Sequence, residues 1–188
     1  MISKNIAYFE RIGKENTEDI IDIVAKRLQE GDIHHVVVAS SLGATGLQFA
    51  KRLGKDTNLV IVSSAPGRSK PGVWDFDRAI LKELEELGCT VIKQTHVLSG
   101  LDRSMSGKFS GISHVEFMAE SLRKLFGHGM KVAIECAVMA ADGGVIPIEK
   151  TIAVGGHGRG SDCAIVALPA HASNFFDFRV LEILAKPF

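Results

Sequence analysis

Val36-Val37-Val38-Ala39-Ser40-Ser41-Leu42-Gly43-Ala44-Thr45-Gly46-Leu47-Gln48-Phe49-Ala50 is the stretch that decides the fold. A β-branched apolar run ends in two serines, passes through small residues, and continues with apolar residues at helical spacing. This predicts a buried strand feeding directly into a helix N-terminus. Such a turn offers unpaired backbone N–H groups and the positive end of a helix dipole, a ready site for phosphate. Ser40, Ser41, Leu42, Gly43, Ala44, Thr45 and Gly46 form the candidate cradle. Its glycines let a ligand approach the backbone, and its hydroxyls add donors. The plainer reading is an ordinary βα turn with a serine cap. The spacing matches neither GxGxxG nor GxxxxGK[ST].

A second stretch near the other end reads as strand, glycine-rich loop, strand: TIAVGGHGRGSDCAIVAL, residues 151–168. A bare hairpin needs only two turn residues. The longer loop, with Gly156, His157, Gly158, Arg159, Gly160 and Ser161, suits wrapping an anion. A flexible hairpin tip is the alternative.

Between and around these stretches the periodicity alternates. Helices are expected over Thr17–Gln29 (capped by Asn16 or Thr17), Thr45–Leu53, Asp77–Leu87 and Ser113–Phe126, the last with Ser113 and Glu116 in capping-box spacing. Strands are expected over His34–Ala39, Asn58–Ser63 and Cys89–Gln94. Val132–Ala141 fits either period, and Gly143-Gly144 behind it favours a helix. His96–Gly111 is polar, small and glycine-rich, and reads as a long loop. A helix around Phe175–Leu184 is expected to close the chain.

Strands alternating with helices imply an α/β fold in three layers, α/β/α, with a mostly parallel sheet and a terminal antiparallel hairpin. Ligands of such sheets bind beyond the C-terminal ends of the strands. Ser40–Gly46, Ser63–Gly72 and His96–Gly111 all follow strand ends and are expected on one rim. Ser63 joins the candidates on that ground.

The 188 residues suit one domain, 1–188, and 46% apolar residues suffice for a core. Lys+Arg and Asp+Glu both number 22, and no basic block occurs, which argues against nucleic acid. No apolar signal segment or membrane-length run is present. Three isolated cysteines suggest reduced thiols, hence a cytoplasmic protein.

Val36–Leu53, VVVASSLGATGLQFAKRL, resembles the strand, loop and helix that open the phosphate pocket in the C-terminal domain of pyruvate kinase. Residues 144–166, GVIPIEKTIAVGGHGRGSDCAIV, are similar to that domain's closing strand, glycine-rich loop and strand. The likeness is closer to stand-alone archaeal proteins of this α/β type and covers most of the chain. It implies a phosphorylated small molecule as ligand. The enzyme's domain holds a sugar bisphosphate effector, whereas the stand-alone relatives are associated with FMN. It places Ser40–Gly46 and Gly156–Ser161 at the phosphate. The chain lacks the catalytic barrel, so kinase activity is not implied. The segments 65–75 and 96–111 have no counterpart there.

A flavin needs charge at its phosphate and apolar surface at its ring. Arg159 or Arg103 fits the first need, and Trp74, Phe109 or Met105 the second, unless these anchor their loops. Asp142 fits either a ligand hydroxyl or a helix-end turn. His34 and His35 point to opposite faces of a strand, and no HxxxH or CxxC occurs, so no metal site is expected. Cys136 reads as core and Glu135 as surface or interface. His157 suits donation to an anion rather than chemistry. FMN binding leads. A sugar-phosphate regulatory module, an FMN-dependent oxidoreductase and a purely structural protein are the rivals. The run Phe175-Phe176-Asp177-Phe178 fits internal packing or a homo-oligomer interface, and both stay open.

Overall fold

A computed structural model describes residues 1–188. In chain order the elements are β1 (Ala7–Phe9), α1 (Thr17–Leu28), β2 (His35–Ala39), α2 (Ala44–Leu53), β3 (Asn58–Ser63), α3 (Arg78–Glu86) and β4 (Thr90–Lys93). They continue with α4 (Gly100–Phe109), α5 (His114–Phe126), α6 (His128–Asp142), β5 (Thr151–Gly155), β6 (Cys163–Leu168) and β7 (Arg179–Pro187). One seven-stranded sheet runs β1-β7-β6-β5-β2-β3-β4. It is parallel from β5 through β4, and β6 is antiparallel to both its neighbours.

Strand alternation assigns the two faces. Val36 and Val38 join Leu59, Ile61, Ile152 and Val154 under Ile20 and Val24 of α1, Phe49 of α2 and Leu84 of α3. Val37, Val60 and Val62 point the other way, onto Cys136, Met139 and Ala140 of α6. α6 crosses β5, β2, β6 and β3, and α5 packs on its outer side. Helices therefore cover both faces in three layers, as the patterning predicts. The Val132–Ala141 run is helical because it is enclosed all round, which also explains its ambiguous period: both faces need apolar residues.

Two expectations fail. The segment 96–111 contains α4 rather than a continuous loop. Two glycines and two serines within Gly100–Phe109 hide it from propensity, and no residue in it is fully buried. It leans on α5, where Ser106 bonds Glu116, the residue that also closes the capping box with Ser113. The helix around Phe175–Leu184 is absent. A 3-10 turn over Ala172–Asp177 leads into β7 instead. Val180, Leu181, Ile183 and Leu184 mimic a helical stripe, but the open edge of β6 needs a partner, and pairing decides the conformation. The three-residue edge strand β1 is too short to read from sequence.

No helix is long and apolar enough to cross a membrane.

Candidate functional site

Strands β1, β2, β3, β4, β5 and β7 share one direction, so the turns after β1 to β5 open on one rim. Two of them meet. Thr45 Oγ1 lies 3.4 Å from the carbonyl of Arg159, so the glycine-rich loop leans over the first turn of α2. This joins Ser40–Gly46 to Gly156–Ser161.

The first turn of α2 is built by packing. Gly43 caps it with φ 103°, in the left-handed region. A side chain there would also strike Ile80 and Phe76 at under 3 Å. Gly46 lies against Ile61, where a Cβ would stand 2.9 Å from two of its carbons. Both glycines are therefore required by the fold, whatever approaches the backbone there. Ser40 is buried, and its Oγ accepts the Gly46 N–H at 3.0 Å. The amides of Ala44 and Thr45 remain without a protein acceptor. Ser41 and Leu42 are exposed beside them, and the Leu42 carbonyl accepts the Asp77 N–H.

Residues 156–160 give five consecutive amides no acceptor within the protein. Gly158 and Arg159 have φ 65° and 67°, positive at both central positions of the turn, as in a type I′ turn. His157, Gly158 and Arg159 are exposed. The flanks are fixed. The Ser161 N–H donates to Thr17 Oγ1 at 3.1 Å, and Gly160 lies against the Lys14 backbone. Asp162 is 1% exposed; its Oδ2 accepts the Gly13 N–H at 2.9 Å, while Oδ1 has no partner. Burial pushes its carboxyl up, against the Gly13 hydrogen bond. The turn after β1 thus braces the loop and brings the exposed Lys14 to the rim.

The other candidates lie elsewhere on the rim or serve packing. Ser63 Oγ accepts Trp74 Nε1–H at 2.9 Å, and Trp74 stacks on buried Phe76 with ring centroids 5.0 Å apart. Trp74 is an anchor of its loop, the plainer of its two readings. Arg103 lines a cleft of about 230 Å³ between α4 and α5, with Ser99, Ile112, Glu116, Glu120 and Arg123. Asp142 caps the turn at Ala172, whose N–H it accepts at 3.1 Å, at the opposite rim. Cys136 is buried, and burial pushes its thiol far up.

Glu135 overturns its reading as a surface residue. It is 3% exposed and paired with Lys131, which is 2% exposed, at 2.5 Å. Glu135 also accepts the Leu98 N–H at 2.9 Å and the Ser99 hydroxyl at 3.4 Å, and His96 Nδ1 lies 3.4 Å away. Burial works to raise its carboxyl, but His96 and Lys131 overcome that and hold it at about 2. Burial pulls the Lys131 ammonium down, offset in part by Glu135. One helical turn before Lys131, His128 meets the His157 ring edge-on at 4.9 Å, and partial burial and that neighbour lower its affinity for protons. His128, Lys131 and Glu135 thus line one stripe of α6, running from the glycine loop to the turn after β4. The spacing of these three was visible in the sequence; the burial of Lys131 and Glu135 was not. No group of three or more His, Cys, Asp or Glu side chains is placed to hold a metal ion. No protein-family model matches the chain.

Proposed function

We propose that the rim between α2 and the 156–161 loop binds the phosphate of a small molecule, with FMN the leading ligand, and that the chain is a stand-alone relative of the pyruvate kinase C-terminal domain. The observation that carries this reading is the meeting of two amide-rich turns, at the Thr45 Oγ1 and Arg159 carbonyl contact. The unpaired amides of Ala44 and Thr45 point from the positive end of α2, and those of 156–160 stand in a turn with no internal acceptor. Arg159 supplies charge on the exposed tip, and Lys14 adds more from the neighbouring turn. Arg103, in its own cleft, is not part of this phosphate group. The flavin ring would extend toward the turns after β3 and β4.

The test is a fluorescence titration of the purified chain with FMN and with riboflavin. A charge-assisted contact contributes about 1.5–3 kcal/mol, so FMN should bind roughly 10- to 150-fold tighter. Arg159→Ala should remove most of that difference and leave riboflavin unchanged. Equal affinities, or no flavin binding, would refute FMN. Stabilisation by fructose bisphosphate in a flavin-indifferent protein would then favour the sugar-phosphate reading.

A further inference from the structure

We propose that the outward face of α5 pairs, antiparallel and about a two-fold axis, with the same face of a second copy of this chain. α5 buries Ala119 and turns Leu122 toward α6, yet Phe117 and Leu125 are 69% and 72% exposed. They flank Ser121 by one turn on either side, with Glu120 and Lys124 beside them. These five residues line a surface groove of about 340 Å³.

The groove is self-complementary. With the axis at Ser121, antiparallel helices set Phe117 of one copy level with Leu125 of the other. At 1.5 Å rise per residue, Glu120 and the other copy's Lys124 then lie only about 3 Å apart along the axis. Both copies make both contacts, as an isologous interface requires. The Ser121 hydroxyl already donates to the Phe117 carbonyl at 2.8 Å. Its polar demand is met within the helix, and a small residue at the axis lets the helices approach closely.

Exposed apolar side chains are also frequent on the neighbouring segments. Leu101, Met105 and Phe109 of α4, Ile112, Phe117 and Leu125 are 50–76% exposed.

Sedimentation equilibrium of the full chain at micromolar concentration tests this. The expected mass is twice the 20.3 kDa of the chain. Leu125→Glu should weaken the dimer by roughly 30-fold or more. Glu120→Lys and Lys124→Glu should each weaken it, and the double variant should restore it, with circular dichroism confirming an intact fold in all four. A monomeric wild type, a dimer indifferent to Leu125→Glu, or a double variant that stays dissociated would each overturn the proposal.

Discussion

Removing the Glu135 carboxylate should destabilise the protein far more than removing the Lys131 ammonium. The two ions are equally buried, but their remaining partners differ. Lys131 Nζ has one hydrogen-bond partner, Glu135 Oε2, and the charge of Arg123 nearby works against it. Glu135→Leu leaves that ammonium enclosed and uncompensated, which costs about 3–5 kcal/mol. Lys131→Met leaves the carboxylate still bonded by the Leu98 N–H and the Ser99 hydroxyl, with His96 beside it. Those contacts hold its cost to about 1–3 kcal/mol. The double replacement removes both desolvated charges but leaves the buried Leu98 N–H without its acceptor, so it should cost about 1–3 kcal/mol, less than Glu135→Leu alone. For a chain of this length the melting temperature moves about 2–4 °C per kcal/mol, so Glu135→Leu should lose roughly 6–20 °C. Urea denaturation followed by circular dichroism at pH 7 gives the free energies directly. There is a second signature. With the Lys131 proton affinity further depressed in folded Glu135→Leu, the unfolded state binds more protons, so stability should climb as pH rises toward 10. Equal losses from the two single variants, or a double variant as damaged as their sum, would refute the reasoning.

In acid, the Glu135 carboxyl at about 2, against an ordinary value of 4.5, stabilises the folded state fully above pH 4.5 and loses that contribution as pH falls toward 2. Glu182, lowered by its hydrogen bond from Arg27, adds in the same direction. Urea midpoints measured across this window should fall with pH, and Glu135→Gln should flatten the slope; an unchanged slope would count against the pair. Gly46→Val forces new carbons onto Ile61 and should cost about 1–3 kcal/mol in chemical denaturation, whatever the ligand state. Arg159→Gly relieves a side chain held at φ 67° and should leave stability unchanged or raise it by up to about 1 kcal/mol. The same variant should weaken FMN relative to riboflavin, so a stability gain paired with unaltered flavin selectivity would place the phosphate elsewhere.

The central elements were legible because each carries its own local signal. β2 and β3 are continuous β-branched runs, Asp77 and Ser113 cap their helices with side-chain hydrogen bonds, and the β5–β6 hairpin is bounded by its glycine loop. What failed lacks local signal and is fixed by a distant partner. β7 is a strand because β6 requires one, and α4 is a helix of poor formers lodged beside α5. Neither outcome can be weighed without knowing what lies across the sheet or along the layer.

The rim shows the same division. That Ser40–Gly46 and Gly156–Ser161 follow strand ends was readable from alternation alone, and the parallel pairing of β2 with β5 brings them together. The work of their hydroxyls was not readable, because Ser40, Thr45 and Ser63 all bond within the protein. A serine in a turn looks identical whether it meets a ligand or a neighbouring amide, and the backbone amides that stay unpaired carry no sequence identity at all. Lys131 and Glu135 present the converse problem. Four residues apart on a helix, they match an ordinary solvent-exposed pair, which contributes little. The cover of α5 and the 96–99 turn makes them a desolvated ion pair instead. α6 unites both groups: Gly129 seats Asp162, His128 meets His157, and the next two turns hold Lys131 and Glu135. A ligand on the glycine loop and the buried ion pair therefore bear on one rigid helix, and the rim owes its shape to α6 as much as to the glycines that mark it in the sequence.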